Sequence, residues 1–438
     1  MNIRSLLSRN SLASGAAILA TTQLGASVAG FLRVRVLNTT FSGNPGVIDA
    51  YLAGFRPSDL LFQTCIVSAL GTVLVPVLAN YKAHNNEEEM NKVISGTMAI
   101  GGLVFGAVAL VLGILFPVIA PYLVDFQDER LHLYIQFGRI ALLTNFLFVF
   151  GNAIGQYLIT VQRYWMYGIT PILYTVGTIA GTVFLTPIWG AYGPILGTLF
   201  GAILYVALRL VAAMRSGYKP YFSLWHPDLT HMGTLMIPRI LSLGAFQVQL
   251  LFLDKLASGL PKGSLTVNAN ARDFQSLLVG VVGIAVAQAV YSSISQAAAK
   301  KDLTRFRKLF RYGAALCLAT TIPGAVILVF LSPLAARLIG QPMVHVFAIS
   351  LAIYAISIPF ESLSHLQLRA FYAMKDTYIP ATFGVIGGLA AIVASQLLIG
   401  QYGLYAIAIG YTIGEIIQTV GLAAMQPWKT RRVMGDSA

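Results

Sequence analysis

The chain has 438 residues, of which 57% are hydrophobic and 10% charged, with a net charge of +13. A soluble domain usually carries about 25% charged residues, so this composition excludes a soluble fold with a charged skin. Most Lys and Arg sit in short segments between apolar runs, which excludes a nucleic-acid surface and marks the loops of a polytopic membrane protein.

About 20 apolar residues cross a hydrocarbon core. On that measure the sequence predicts helical spans at 11–38, 48–80, 93–123, 131–160, 166–187, 191–214, 233–259, 264–297, 308–336, 343–373, 378–400 and 403–426. The first follows Arg4 and Arg9 in the manner of a signal peptide. Its apolar run continues to about Leu37 and contains Arg33 and Arg35, so a retained helix is expected rather than a cleaved leader. Span 2 carries Asp49 at its edge, then Arg56 and Asp59, and span 4 carries Arg139. Spans 7 and 8 carry Asp254 beside Lys255 and Arg272 beside Asp273. Span 10 holds Glu361, His365 and Arg369 at i, i+4, i+8, and span 12 holds Glu415. Cys65 and Cys317 fall inside spans and read as buried, unpaired thiols.

The basic residues predict orientation. With the N-terminus inside, 17 Lys and Arg lie in inside loops and tails, against Arg130, Lys262 and Arg337 outside. Both termini are therefore expected in the cytoplasm. Of the embedded cations, Arg209, Arg239, Lys255 and Arg369 lie near span ends and are expected to snorkel.

The chain repeats itself at about 210–216 residues. GAYGPILGTLFG from Gly190 matches GQYGLYAIAIGY from Gly400, Arg56 matches Arg272, and Arg163 matches Lys375. Six spans plus six gives two parallel repeats, 1–222 and 223–438. The expected fold is an all-α membrane protein with two six-helix lobes around a central cavity.

Arg33, Arg35, Arg56, Arg139 and Arg272 all fall at similar depth in the outer half of the membrane. Guanidinium groups bind phosphate oxygens with paired hydrogen bonds, so such a group predicts an anion site, and in a bilayer its ligand is a lipid phosphate or pyrophosphate. The alternative is structural ion pairing, as of Arg56 with Asp59 or Arg272 with Asp273. Glu361, His365 and Arg369 read as a proton or cation relay, or as a polar stripe joining helices. Asp254 reads as an interfacial feature or a cation ligand. No Walker sequence, H-E-x-x-H or G-x-S-x-G occurs, so neither ATP-driven transport nor an enzyme is expected.

Several segments carry a family resemblance. They are GFLR from Gly30, DAYLAGFRPSDLL from Asp49, VPVLANYK from Val75, MIPRILSLGAFQVQLLFLDKLAS from Met236, NARDFQSLLVGVVGIA from Asn270 and LRAFYAMKDTYIP from Leu368. The chain resembles the MurJ (MviN) lipid II flippases of the multidrug/oligosaccharidyl-lipid/polysaccharide exporter superfamily. The resemblance implies export of a lipid-linked peptidoglycan precursor from the inner to the outer leaflet of the bacterial cytoplasmic membrane, by alternating access. It places Arg33 and, with a one-residue slip, Arg272 on cavity arginines, and Asp49 on a family acid. The chain departs from the pattern at Ser27, Val34, Phe62 and Gln63. Arg35, Arg56 and Arg139 are the cations available to compensate. The family's sodium site matches Asp254 but meets Ser395 and Gln396 on span 11. Many members have fourteen helices, so a lipid-tail groove built by the last pair is expected to be partial or absent here.

The expected partner is lipid II or a related polyprenyl-diphosphate lipid, with cell-wall synthesis enzymes as a further partner class. The expected driving force is sodium, protons or membrane potential, with no bound cofactor. The competing readings are a flippase for another polyprenyl-diphosphate oligosaccharide, a cation-coupled drug exporter, and a scaffold for cell-wall enzymes.

Overall fold

The computed structural model describes residues 12–67, 74–221 and 226–435. Arg4 and Arg9, and the side chain of Arg239, lie outside the described residues. The described chain is helical, without strands. Its α-helices are α1 (Leu12–Thr40), α2 (Gly46–Leu61), α3 (Val75–Ala83), α4 (Glu87–Leu123), α5 (Asp128–Thr160), α6 (Tyr164–Ala180), the short α7 (Thr186–Trp189) and α8 (Gly193–Met214). There follow α9 (Pro227–Ser258), α10 (Ser264–Leu278), α11 (Ala285–Ala299), α12 (Leu303–Leu338), α13 (Val344–Ala373), α14 (Tyr378–Tyr402) and α15 (Tyr405–Met434). Among the described residues nine stretches are long and apolar enough to cross a membrane. One of them, Tyr164–Met214, breaks at Gly190 into two. The other two expected spans correspond to α9 and to 46–83, whose middle lies outside the described residues. Large apolar side chains such as Leu110, Ile114, Phe330 and Leu397 are exposed on these helices, as a hydrocarbon surround requires.

Local chemistry sets several ends. Asn86 caps α4 by accepting from Glu89 N at 3.2 Å, and Glu87, Glu88 and Glu89 suit the positive end of the helix dipole. Asp302 caps α12 through Arg305 N at 2.8 Å. The last span outruns its expected end at 426: α15 continues to Met434, with Arg431 and Arg432 at the dipole's negative end.

Contacts divide the chain into two compact units, Met1–Gln247 and Val248–Ala438. The division falls inside α9, beyond the loop where the sequence halves were parted. In the first unit α2 packs on α5, α5 on α4 and α8, and α6 on α8. In the second α10 packs on α13, α13 on α12 and α15, and α14 on α15. The same wiring thus occurs twice.

Finer features repeat as well. A π-helical turn follows α2 at Phe62–Val67 and another follows α10 at Val279–Ile284. At the α6/α8 crossing an added Cβ on Gly177 would lie 2.6 Å from Gly201 Cα, and at the α14/α15 crossing one on Gly387 would lie 2.8 Å from Gly414 O. Both crossings need the absence of a side chain. The turn between these helices is a glycine at φ 56°, ψ −129° (Gly190) and at φ 54°, ψ −130° (Gly403), a backbone region essentially confined to glycine. The sequence strings pair Gly190 with Gly400 instead, because α14 runs about one turn further before its break.

Candidate functional site

In the first unit the embedded polar groups converge on α2. Pro57 and the π turn interrupt its regular ladder. Ser58 Oγ donates to Ala141 O at 3.0 Å. Asn145 Nδ2 of α5 donates to Ser58 Oγ at 2.6 Å and to Asp59 Oδ1 at 2.8 Å. Arg56, less than a turn before, interacts electrostatically with Asp59. Arg33 of α1 lies within electrostatic reach of Tyr174 on α6, which is equally within reach of Tyr51 and Asp59. The Arg33 Nε is buried and has no hydrogen-bond acceptor. Leaving a buried charged donor unpaired costs several times what a surface one does. Arg33 and Arg56 against Asp59 leave this cluster with surplus positive charge. That surplus is chemically suited to an anion.

The second unit has the opposite balance. Gln275 of α10 donates through Nε2 to Ser357 Oγ at 3.1 Å and to Glu361 Oε2 at 2.6 Å. Tyr411 of α15 donates to the same Glu361 oxygen at 3.0 Å. Tyr354 packs edge-on to Tyr411 at 5.4 Å and donates to Asn268 Oδ1 at 2.7 Å. Arg272 is buried, within electrostatic reach of Glu361 and Tyr411, and its Nη1 has no hydrogen-bond partner. Glu415, also buried, faces Glu361. Two carboxylates against one guanidinium make this cluster suited to a proton or another cation.

The two clusters are versions of one another. Asp59 and Gln275 are 216 residues apart, as are Asn145 and Glu361. Each unit therefore carries one acid hydrogen-bonded to one amide across the same helix pair, with acid and amide exchanged.

Other predicted residues lie elsewhere. Arg35 is exposed, about 200° around α1 from Arg33. Arg139 turns away from Asn145, six residues on and so about 120° around α5. Its Nε bonds Gly113 O at 2.9 Å in a surface groove lined by Leu110, Ile114, Leu142 and Phe146. Depth along a helix placed it with the others, and azimuth separates it. Asp49 is buried and pairs with Arg130 Nη1 at 3.6 Å. Asp254 is buried on α9, while Ser395 Oγ packs where a Cβ on Gly410 would sit. Asp273 is exposed, so it does not share Arg272's burial. The α13 stripe divides, because each four-residue step drifts about 40°. Glu361 turns to α10 and α15, whereas His365 lies in reach of Arg369, whose Nη1 bonds Ile284 O at 2.9 Å. Among the described residues no group of three His, Cys, Asp or Glu is placed to hold a metal ion.

Sequence reading missed Gln275, Tyr411 and Arg209. The first was accessible from the repeat, since the residue 216 after Asp59 is Gln275. Arg209 was expected to snorkel but is 1% exposed. Its Nε, Nη1 and Nη2 bond Thr170 Oγ1, Gly151 O and Tyr167 O at 2.8, 2.8 and 2.9 Å, and it lies over the rings of Tyr167 and Tyr205. It joins α5, α6 and α8 without a carboxylate.

A family model described as lipid II flippase MurJ matches residues 38–432. The probable lipid II flippase MurJ of Bdellovibrio bacteriovorus is 24% identical over 95% of this chain and 82% of its own length. The lipid II flippase MurJ of Burkholderia cenocepacia is 23% identical over 90% of this chain and 80% of its own. Among solved structures, a lipid II flippase MurJ in an inward closed conformation matches with a TM-score of 0.79 at 21% identity, over 95% of this chain and 90% of its own. An inward-facing multidrug resistance MATE family transporter of the MOP superfamily matches with a TM-score of 0.79 at 14% identity, over 93% and 96%. At such identities the structural likenesses speak for the fold.

Proposed function

This chain belongs to the lipid II flippase MurJ family, a family of transporters, and we propose that it carries lipid II across the bacterial cytoplasmic membrane by alternating access, its pyrophosphate held by Arg33 and Arg56. The observation that carries this is the buried, unpaired Arg33 Nε beside a cluster with more guanidinium than carboxylate. The lipid tail stays in the bilayer while the headgroup passes. The inside excess of Lys and Arg supports an orientation with both termini cytoplasmic.

Arg272, Glu361 and Glu415 form the coupling element in this reading. With both acids ionised their sum is one negative charge, and one proton neutralises it. The membrane potential adds about 2.3 kcal/mol per charge per 100 mV to the resetting of an empty, cationic site. Enzymes that polymerise the precursor are the partner class that would take it at the outer face.

The test is rescue of a bacterium depleted of its own flippase. The parent chain should rescue, and Arg33→Ala with Arg56→Ala should not. Rescue by the double variant at parental level sinks the anion account. Failure of the parent to rescue, together with movement of another polyprenyl-diphosphate glycan in vesicles, transfers the assignment to that substrate.

A further inference from the structure

The second unit carries a cleft that the transport reading does not use. It has a volume of about 520 Å³ and lies among α12, α13 and α15. Arg307 and Arg311, one turn apart on α12, line it together with Arg431 near the end of α15. Its inner wall is apolar, with Phe310 and Leu363. Among the described residues neither Arg307 nor Arg311 has a carboxylate within ion-pair distance. Among those residues nothing compensates their charge.

A second, independent observation comes from Gln367, which also lines the cleft. It is 2% exposed, and its Nε2 donates to Thr419 O at 3.2 Å. Its Oε1 is buried and has no donor. A buried carbonyl oxygen without a donor is uncommon in folded proteins, and a ligand hydroxyl or ammonium placed in the cleft would supply one. The cleft therefore presents, side by side, a place for a phosphate, an apolar wall, and one hydrogen-bond acceptor. Its basic residues sit where the first turns of α12 and the last turns of α15 come together. By the distribution of Lys and Arg this is the cytoplasmic end, where headgroups of the inner leaflet lie.

We infer that this cleft binds an acidic glycerophospholipid of the inner leaflet whose headgroup carries a hydroxyl. Arg307, Arg311 and Arg431 hold the phosphodiester, an acyl chain runs along Phe310 and Leu363, and the headgroup hydroxyl donates to Gln367 Oε1. The acyl wall distinguishes a lipid from free phosphate. The Gln367 acceptor distinguishes a hydroxylated headgroup from bare phosphatidate.

The test counts lipids retained by the full chain in native mass spectrometry, from micelles titrated with phosphatidylglycerol, phosphatidate, phosphatidylcholine or inorganic phosphate. The parent should retain one phosphatidylglycerol that phosphatidylcholine does not displace. Arg307→Gln with Arg311→Gln, at exposed positions, should weaken that binding by at least about tenfold, the value of a lost charge-assisted hydrogen bond. Gln367→Leu should bind phosphatidate as the parent does and lose the preference for phosphatidylglycerol. Retention of phosphatidylglycerol unchanged in the double arginine variant overturns the inference. Displacement by millimolar inorganic phosphate overturns it in favour of a soluble anion. Because lipid II transport is read in a separate rescue assay, failure here leaves the transport reading standing, and failure there leaves this site standing.

Discussion

Arg139 Nε donates to Gly113 O at 2.9 Å, and that carbonyl is the one that Pro117, four residues later in α4, leaves without a backbone donor. The same device occurs in α6. Pro171 frees Tyr167 O, which receives Arg209 Nη2 at 2.9 Å. In hydrocarbon no water can satisfy such a carbonyl, so an embedded arginine becomes a structural donor. This explains how a chain with few embedded acids tolerates cations outside the Arg33–Arg56–Asp59 cluster.

For Arg139 the expected outcome is a loss of stability without a loss of substrate binding. Arg139→Leu should lower thermal stability in detergent by about 1–3 kcal/mol. Placed in a Pro117→Ala background, where the carbonyl has its own backbone donor, the same change should cost clearly less. A parental thermal midpoint combined with failed rescue would return Arg139 to the transport path.

Arg209 should be among the most sensitive positions in the first unit. It is fully buried with three hydrogen bonds and two aromatic faces. Arg209→Met should cost at least about 3 kcal/mol, and Arg209→Lys should recover little because an ammonium cannot reach all three acceptors at once. Gly155→Ala tests the same clamp from the other side, since its Cβ would stand 2.4 Å from Arg209 Nη1. Folded protein yield in detergent reads all three.

The exchanged acid–amide pairs predict opposite consequences for the two units. Asp59→Asn removes the carboxylate that neutralises Arg56 and should tighten binding of a pyrophosphate lipid severalfold. Glu361→Gln should leave that binding intact but reduce transport and flatten its dependence on an imposed proton gradient. Equal effects of the two changes on binding, measured by native mass spectrometry with lipid II, would count against a division of labour between the units.

The loop after α13 supplies a pH dependence. Burial by itself would raise the Asp376 carboxyl, but the Lys429 ammonium at 2.6 Å and the backbone N–H groups of Ile379 and Tyr378 outweigh it and hold the group below its ordinary value of 3.8. A depressed carboxylate contributes stability that is complete above its unfolded value and is lost as pH falls through the folded one. Thermal stability in detergent should therefore drop as pH goes below about 4, and Asp376→Asn should abolish that part of the drop. An unchanged acid limb in the variant would assign it to other groups.

Fold class was legible because membrane insertion is written in composition. Runs of about 20 apolar residues, short basic loops and a repeated G-x-Y-G need no tertiary information. Element ends were legible to within about two turns, and α15 shows the limit. The last span was expected to end at 426, yet the helix continues to Met434, and its last turns bury Thr430 and Met434. For the site, the sequence disclosed depth but not direction. Arg33, Arg35, Arg56 and Arg139 were expected at one level, but their azimuths send Arg35 to an exposed face and Arg139 to a proline-freed carbonyl.

From the sequence by itself came a polytopic helical protein, its repeat, its family resemblance and the set of embedded charges. These follow from one-dimensional quantities, namely hydropathy, spacing and charge. Tertiary structure decided which charges meet. It set Asp59 against Asn145 and Arg56, gathered Glu361, Glu415 and Arg272 in the second unit, and assigned Arg209 to holding helices together. The reason is geometric. A helix turns 100° per residue, so neighbours in sequence face different partners, and in a medium without water the partner determines what a charge can do.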